Sequence, residues 1–290
     1  MPLAAALSGA LLLAAAVAGP AVPEPAAGSA TAAATAIEQR QAVSVSLQDT
    51  SGTHLGSGVV IAAAAGGYWL VSNRHVVSDS QAVCVVTADR QIAAALVLPE
   101  ARRKRRQAQP LALDLALLWL PRSGTQPLAV ATLAQKPAPP ASLPLVQATG
   151  YPAPVQQRGD AAAYQEMAAL LLPLLNGPLE GGFDLAYTAA IQKGMSGGGI
   201  FSGSELIGIN GAHANPLWPG QWNDQNGRPV SASLNEKLEL VSLGISVRTI
   251  QAALKAAVIP SAAALNGLAA VACRASQPVR PSPEVIRQTR

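Results

Sequence analysis

The sequence predicts an all-β protein of two antiparallel β-barrels followed by a C-terminal helix. From residue 42 onward, short runs rich in Val, Leu and Ile alternate with turn residues at the spacing typical of a barrel or sandwich. A proline-rich stretch at 122–144 then divides these runs into two groups, which indicates a stiff connection between two barrels. A chain of 290 residues is long enough for this architecture and for a sizeable core.

Six strands are predicted for the first barrel, which we place at about residues 42–121. All six are apolar runs bounded by turn residues. They cover residues 43–47, 58–62, 68–72, 82–87, 92–98 and 114–120.

The second barrel is predicted at about residues 145–246, with one interruption. Residues 161–175 have helical composition as far as Pro173, so we expect a helix-like excursion within 155–182. Ser246 is expected to cap a final helix at 247–258, whose apolar residues recur at i, i+3 and i+7. The predicted strands cover residues 145–148, 184–191, 199–201, 205–210 and 240–245.

The N-terminus has the features of an export signal. Residues 1–18 are apolar and alanine-rich and end in a small-x-small sequence, Ala-Val-Ala, although a basic start is missing. An uncleaved membrane anchor is the alternative, but the run is short and weakly hydrophobic, so no stable membrane insertion is expected. We therefore expect an exported protein, periplasmic or extracellular, with a disordered spacer at 19–41 and a flexible tail at 259–290.

The positive charge of the chain is local. The formal net charge is +4, and the run Arg-Arg-Lys-Arg-Arg at 102–106 contributes +5, so the remainder sums to −1. A solvated loop is the simplest interpretation; docking to an anionic surface and proteolytic cleavage are the alternatives. Because nucleic-acid binding needs a broader basic face, no nucleic-acid partner is expected.

The cysteines and histidines indicate neither a metal nor a cofactor. Cys84 and Cys273 are the two cysteines; in an exported protein they could form one disulfide, or Cys84 could be a buried thiol, and both possibilities stay open. His54, expected at a hairpin tip, His75 and His213 have no metal-ligand spacing.

Ser196 lies in a glycine-rich turn sequence between apolar stretches, Gly-Met-Ser-Gly-Gly at 194–198. Such glycines permit a sharp turn and close approach by another molecule, although a plain turn is the alternative for this segment alone. A serine hydroxyl is a weak nucleophile and needs a base to take its proton. The attack also creates an oxyanion, for which the backbone N–H groups of Gly194 and Ser196 are the expected donors.

His75 and Asp114 supply the residue types that such a serine needs. Histidine has a pKa suited to a base near neutral pH. Asp114 lies in the apolar stretch 111–118, where a buried carboxylate requires a partner, and an imidazole is an obvious one. Each residue alone could be structural, but together His75, Asp114 and Ser196 predict a catalytic triad in that chain order.

The three motifs resemble those of chymotrypsin-like peptidases, which share this chain order. Segment 73–77 (Asn-Arg-His-Val-Val) resembles the histidine motif of bacterial trypsin-like peptidases, including the HtrA proteases. Segment 114–118 is similar to their aspartate motif, and 194–198 to their Gly-Asn-Ser-Gly-Gly motif. The resemblance covers about residues 42–258 and implies chymotrypsin-like barrels, an acyl-enzyme mechanism and peptide or protein substrates. The C-terminal PDZ domain of HtrA proteases is not expected after residue 258.

Two departures from the motif affect regulation. Met195 replaces the usual Asn or Asp, and Gly199 replaces the usual Pro, but neither change removes a catalytic atom. Trypsin relatives use an aspartate at the first position to bind a freed N-terminus during activation. Met195 cannot do so, and we expect no such switch.

The resemblance also implies a set of substrate-binding residues. Ala190, six residues before the nucleophile, corresponds to the base of the S1 pocket, so the negative charge that selects Arg or Lys is missing. Ile209, Asn210 and Gly211 resemble the segment that pairs with the substrate backbone. A small or medium apolar P1 residue is expected.

Two functions remain in competition. The first is an exported serine endopeptidase that uses no cofactor. The alternative is a catalytically silent binding module with a protease fold, motivated by Met195, Gly199 and an excursion that could cover the cleft. In that case Ser196→Ala would leave partner binding unchanged. The sequence leaves the oligomeric state open.

Overall fold

The computed structural model describes residues 27–78, 80–99, 113–122, 127–135, 143–153, 162–214 and 220–274, with side chains from residue 35 onward. The predicted export signal (1–18) and the basic run (102–106) lie outside these residues. No helix in the described part of the chain combines the length and hydropathy that crossing a membrane requires.

The first barrel is a closed ring of six antiparallel strands in the order β1-β2-β3-β6-β5-β4. Aliphatic side chains fill its interior, among them Leu47, Leu70 and Leu118, none of which is exposed. The predicted strands are confirmed, except that the sixth begins after Asp114 and not at it. The strands are β1 (Ser44–Gln48), β2 (His54–Ala64), β3 (Gly67–Ser72), β4 (Ala82–Val86), β5 (Ile92–Val97) and β6 (Ala116–Pro121).

The second barrel is also a ring of six antiparallel strands, closed by the pairing of β11 with β12. The connection between the barrels is attached to the second barrel, because its strand β7 pairs in parallel with β12. The strands are β7 (Thr132–Leu133), β8 (Leu145–Gly150), β9 (Gln165–Leu172), β10 (Leu185–Tyr187), β11 (Gly199–Ser202), β12 (Glu205–Ala212) and β13 (Ser242–Ser246).

The helix expected within 161–175 is wrong, because these residues contain strand β9. Strand β9 pairs along its length with β8, from Leu145 opposite Leu170 to Gly150 opposite Gln165, and its other edge pairs with β10. The Ala, Leu and Met side chains favour a helix intrinsically, but the backbone hydrogen bonds of barrel closure outweigh a preference of a few tenths of a kcal/mol per residue.

The disordered spacer expected at 19–41 is wrong for residues 27 onward, which form helix α1 (Ala27–Val43). Alanine, which made this segment look like a spacer, is also the strongest helix former. Arg40 fastens the helix to the second barrel: Nε and Nη2 donate to the Glu166 carboxylate at 2.9 and 2.7 Å, and Nη1 donates to Gly203 O at 2.9 Å.

The C-terminal helix is observed as Val247–Ala256, two residues shorter than predicted. The Ser246 side chain makes no capping bond; its hydroxyl donates instead to Asp184 Oδ2 at 2.6 Å, while Asp184 Oδ1 accepts the Ser246 N–H at 2.7 Å. We label the helices α2 (Arg74–Val77), α3 (Ala232–Glu239), α4 (Val247–Ala256) and α5 (Ala262–Ala269).

The flexible tail expected at 259–290 is wrong as far as residue 274. Helix α5 packs on strand β5, and a disulfide joins Cys84 of β4 to Cys273, with the Cα atoms 5.6 Å apart. Of the two possibilities left open for the cysteines, the structure has the disulfide. The packing and the bond together hold the tail against the first barrel.

The two barrels share an apolar interface. One cluster of buried side chains combines Val59 and Leu117 of the first barrel with Phe201 and Ile209 of the second. Because the barrels pack directly, the ends of their strands meet along one seam. The predicted catalytic residues lie on this seam.

Candidate active site

His75 and Asp114 are held together by backbone and side-chain hydrogen bonds. His75 lies in helix α2, which begins directly after β3, and Asp114 lies just before the adjacent strand β6. Asp114 O accepts the Arg74 N–H at 3.2 Å and the Asn73 side-chain N–H at 3.1 Å. Asp114 N donates to Gly181 O at 2.8 Å, so the second barrel also helps to fix this residue.

Both oxygens of the Asp114 carboxylate contact His75. Oδ1 accepts the backbone N–H of His75 at 2.9 Å, and Oδ2 lies 2.7 Å from Nδ1. In the neutral imidazole, a carboxylate acceptor favours the tautomer with the hydrogen on Nδ1, which leaves the lone pair on Nε2. The Asp114 side chain is 16% exposed and that of His75 is 51% exposed, so a largely sheltered carboxylate orients an accessible imidazole.

Ser196 lies in a segment of two consecutive turns. Met195 N donates to Gln192 O, and Gly198 N donates to Met195 O, each at 3.0 Å. Gly194 and Gly197 have φ angles of 94° and 83°, in the left-handed region that favours glycine. The glycines are therefore required by the turn, as the sequence predicted.

A buried amide supports this turn from below. Asn210 Nδ2 donates to Met195 O at 3.2 Å and to Thr149 O at 2.8 Å, while its Oδ1 accepts the Tyr187 hydroxyl at 2.8 Å. Met195 itself is fully buried in the core of the second barrel. An apolar side chain at this position is thus anchored by packing and needs no ionic partner.

The serine turn lies against the histidine helix across the seam. Ser57 N donates to Ser196 O at 2.9 Å, and a Cβ added to Gly56 would lie 2.8 Å from Val76 and 3.2 Å from Ser196 O. The Ser196 hydroxyl makes a long bond of 3.4 Å to Gly211 O. Among the described residues this hydroxyl makes no hydrogen bond to His75.

The peptide between Lys193 and Gly194 has a fixed orientation. Lys193 O accepts the Ala153 N–H at 2.7 Å and so faces the segment 151–153. Because C=O and N–H of a trans peptide point in opposite directions, Gly194 N–H faces away from that segment. In the described part of the chain, the N–H groups of Gly194 and Ser196 have no acceptor, so both are available as donors.

The residues expected to bind substrate fall into two groups. Ile209 and Asn210 are fully buried, and the backbone of Asn210 exchanges hydrogen bonds with Gly197 and Gly198, so Asn210 supports the turn that carries Ser196. Gly211 has its carbonyl beside the Ser196 hydroxyl, and Ala190 is exposed.

A buried hydroxyl, which the sequence did not reveal, joins the segments that carry Ala190 and Gly211. Ser242 Oγ donates to Ala189 O at 2.6 Å and accepts the Ala214 N–H at 3.2 Å. The two segments are therefore drawn together next to Ala190. No local pattern identifies Ser242, because its partners are 53 and 28 residues away along the chain.

Two further supporting residues were also missed. Ser57 Oγ donates to Gly194 O at 2.8 Å and accepts the Tyr151 N–H at 2.8 Å. His54 is not at a hairpin tip as expected: it begins β2, and its ring turns inward to Ser46 and Tyr151. The small-residue sequence around Ser57 (Gly-Ser-Gly) is the one signal that could have drawn attention to this place.

Comparisons with known proteins identify one matching family model and a set of similar solved structures. The family model of the trypsin-like peptidase domain matches residues 56–209. No curated protein matches the chain.

Three of the similar solved structures are proteases. A serine endoprotease from Yersinia pestis is 18% identical with a TM-score of 0.52, and covers 81% of this chain and 67% of its own. An HtrA-type protease with a tripeptide is 19% identical with a TM-score of 0.53, covering 77% and 62%. The Rv3671c protease in an inactive form is 18% identical with a TM-score of 0.50, covering 81% and 97%. At such identities the likeness concerns the fold.

Proposed function

The chain belongs to the trypsin-like peptidase family and is a serine endopeptidase, and from this premise we propose that it cleaves peptide bonds with His75, Asp114 and Ser196 as its catalytic triad. The observation that carries the proposal is the double contact of Asp114 with His75, at 2.9 and 2.7 Å, beside the turn that carries Ser196. That contact prepares the acceptor nitrogen that a serine nucleophile requires.

Acylation is the first half of the proposed reaction. Ser196 Oγ attacks the scissile carbonyl carbon while His75 Nε2 takes the hydroxyl proton, and Asp114 stabilises the imidazolium that forms. The carbonyl oxygen becomes an oxyanion and accepts hydrogen bonds from Gly194 N–H and Ser196 N–H. The C–N bond then breaks, His75 returns the proton to the departing amine, and an ester to Ser196 remains.

Deacylation repeats these steps with water. His75 takes a proton from the water as its oxygen attacks the ester carbonyl, and the same two N–H groups hold the oxyanion. Collapse of the intermediate breaks the ester bond, and the proton on His75 returns to Ser196 Oγ. The peptide acid leaves, and no cofactor takes part.

A fluorophosphonate probe tests the proposal, because it phosphonylates only a serine that has both an activated hydroxyl and a working oxyanion site. Intact-mass analysis should show one adduct on the wild type and none on Ser196→Ala. Ser204→Ala, which removes an exposed hydroxyl from the β11–β12 hairpin, is the matched control and should be labelled like the wild type. A folded wild type without an adduct would overturn the proposal in favour of a silent binding module.

Small and medium apolar P1 residues are the proposed substrates. Ala190 offers no charge to Arg or Lys, and Ser242 links Ala189, directly before it, to Ala214. With peptides that differ only at P1, we expect kcat/KM for P1 Ala or Val to exceed that for P1 Arg by about tenfold or more. The reason is that burying a charge without a partner costs free energy. Ala190→Asp should reduce this preference for P1 Ala or Val over P1 Arg. A wild-type preference for P1 Arg would contradict the assignment.

Export is proposed as the setting of this activity. Two observations support it independently: the apolar sequence at 1–18, which ends in Ala-Val-Ala, and the disulfide between Cys84 and Cys273. Disulfides persist mainly in oxidising compartments such as the periplasm or the extracellular space. Peptides or proteins in that compartment would then be the substrates.

A further inference from the structure

His54 links the first barrel to a backbone segment of the second. Its Nδ1 lies 3.1 Å from Ser46 Oγ on the neighbouring strand β1, and its Nε2 lies 2.8 Å from Tyr151 O. The catalytic steps proposed above do not use this imidazole. It is nevertheless one of three histidines in the chain, and it is only partly exposed.

The partners of His54 fix its hydrogen. A carbonyl oxygen can only accept, so Nε2 must donate its hydrogen to Tyr151 O. Burial lowers the pKa of His54, outweighing the backbone carbonyls of Tyr151 and Gly194 that favour the protonated ring. In the neutral ring Nδ1 accepts the Ser46 hydroxyl hydrogen, and the imidazole is locked in one tautomer.

The ring also lies against the turn that forms the oxyanion site. A Cβ added to Gly194 would be 2.8 Å from both His54 Nε2 and Tyr151 O. The Gly194 carbonyl accepts the Ser57 hydroxyl at 2.8 Å. The first barrel thus contacts the backbone of Gly194 through His54 and Ser57.

Tyr151 connects His54 to the orientation of the Gly194 N–H. The segment 151–153 that His54 holds at Tyr151 O also supplies Ala153 N–H, which binds Lys193 O at 2.7 Å. That bond turns the Gly194 N–H away from the segment, as the oxyanion site requires. If the segment shifts, the bond to Lys193 O is lost and the peptide can rotate so that its N–H no longer faces the substrate carbonyl.

We propose that His54 is a positioning residue that holds the segment 151–153, and through it the Lys193–Gly194 peptide, in the orientation that forms the oxyanion site. This inference rests on the proposed function. His54 touches neither the substrate nor the reacting atoms; it acts through Tyr151 and Ala153. Its loss should therefore reduce stabilisation of the transition state more than binding of the substrate.

Substitutions of His54 in the full-length chain test the inference. His54→Phe keeps a ring but cannot donate to Tyr151 O, so we expect kcat to fall by about 10- to 100-fold, somewhat less than the loss of a direct oxyanion donor. KM should stay within about threefold, and fluorophosphonate labelling should slow in parallel with kcat. Thr53→Val, which removes a hydroxyl contact to Ser51 in the neighbouring turn, is the control and should behave like the wild type.

A matched pair of amides keeps the test valid if the phenylalanine variant does not fold. Glutamine is long enough to place an N–H near Tyr151 O, whereas asparagine carries the same group but is one methylene shorter. His54→Gln should retain most of the wild-type kcat, whereas His54→Asn should not.

The outcomes separate this inference from the proposed function. If His54→Asn and His54→Gln both retain the wild-type kcat and labelling rate, His54 does not position the oxyanion site, while the serine peptidase assignment stands. If the folded wild type is not labelled at all, the proposed function itself fails.

Discussion

Replacing Asp114 with asparagine is expected to lower kcat by about 10⁴-fold while the fold stays intact. The two carboxylate oxygens of Asp114 both accept hydrogen bonds, one from His75 N and one from His75 Nδ1. Asparagine has one acceptor oxygen. If that oxygen keeps the backbone N–H of His75, the amide NH₂ faces Nδ1 and forces its hydrogen onto Nε2, where the base can no longer take a proton from Ser196.

The alternative orientation of the amide is no better. If its oxygen accepts from Nδ1, the NH₂ group meets the His75 backbone N–H, and two donors oppose each other in a sheltered place. The tautomer with a free Nε2 is therefore disfavoured by the same contact that stabilises it in the wild type.

Steady-state hydrolysis of one peptide by the wild type and by Asp114→Asn measures this effect. Asp184→Asn is a suitable control, because Asp184 also accepts two bonds, from Ser246 N and Oγ, but supports helix α4. It should lower thermal stability and leave kcat close to the wild-type value. A loss of less than about tenfold for Asp114→Asn would show that Asp114 does not set the tautomer of a catalytic base.

The proposed triad could be named from sequence because its members lie in short segments that indicate their chemistry. Ser196 is surrounded by the glycines that its turn requires, and Asp114 is a single acid in an apolar stretch. The supporting residues have no such local sign. His54 meets Tyr151 97 residues later, and Ser57 meets Gly194 137 residues later. Only the closed barrels bring these pairs together.

The strands of the first barrel were predicted well, whereas β9 was expected to be helical because its Ala, Leu and Met residues favour a helix. Helix α1 is rich in Ala and strand β9 in Leu and Ala, residues that favour a helix intrinsically, yet α1 is helical and β9 is paired in a sheet. For α1 the intrinsic helix preference of alanine prevails, and Arg40 of this helix bonds to Glu166 and Gly203 of the second barrel. Pairing on both edges decides for β9.

Removing the disulfide is expected to lower the free energy of unfolding by about 2–5 kcal/mol. Cys84 and Cys273 are 189 residues apart, so the bond closes a long loop and strongly restricts the unfolded chain. The bond also holds helix α5 against β5, and Cys84 is fully buried. The double variant Cys84→Ala, Cys273→Ala removes both sulfurs, so no unpaired thiol is left.

Urea unfolding followed by tryptophan fluorescence provides the measurement. Leu268→Ala separates the two contributions, because it weakens the packing of the buried Leu268 on α5 while the bond remains. If the bond acts through the unfolded chain, the double variant should lose more stability than Leu268→Ala, and reductant should destabilise the wild type but not the double variant. If the double variant were as stable as the wild type, chain restriction would not contribute, and packing of α5 alone would hold the tail. The proposed triad lies outside the region that the bond fastens, so kcat should be unchanged at temperatures where both proteins are folded.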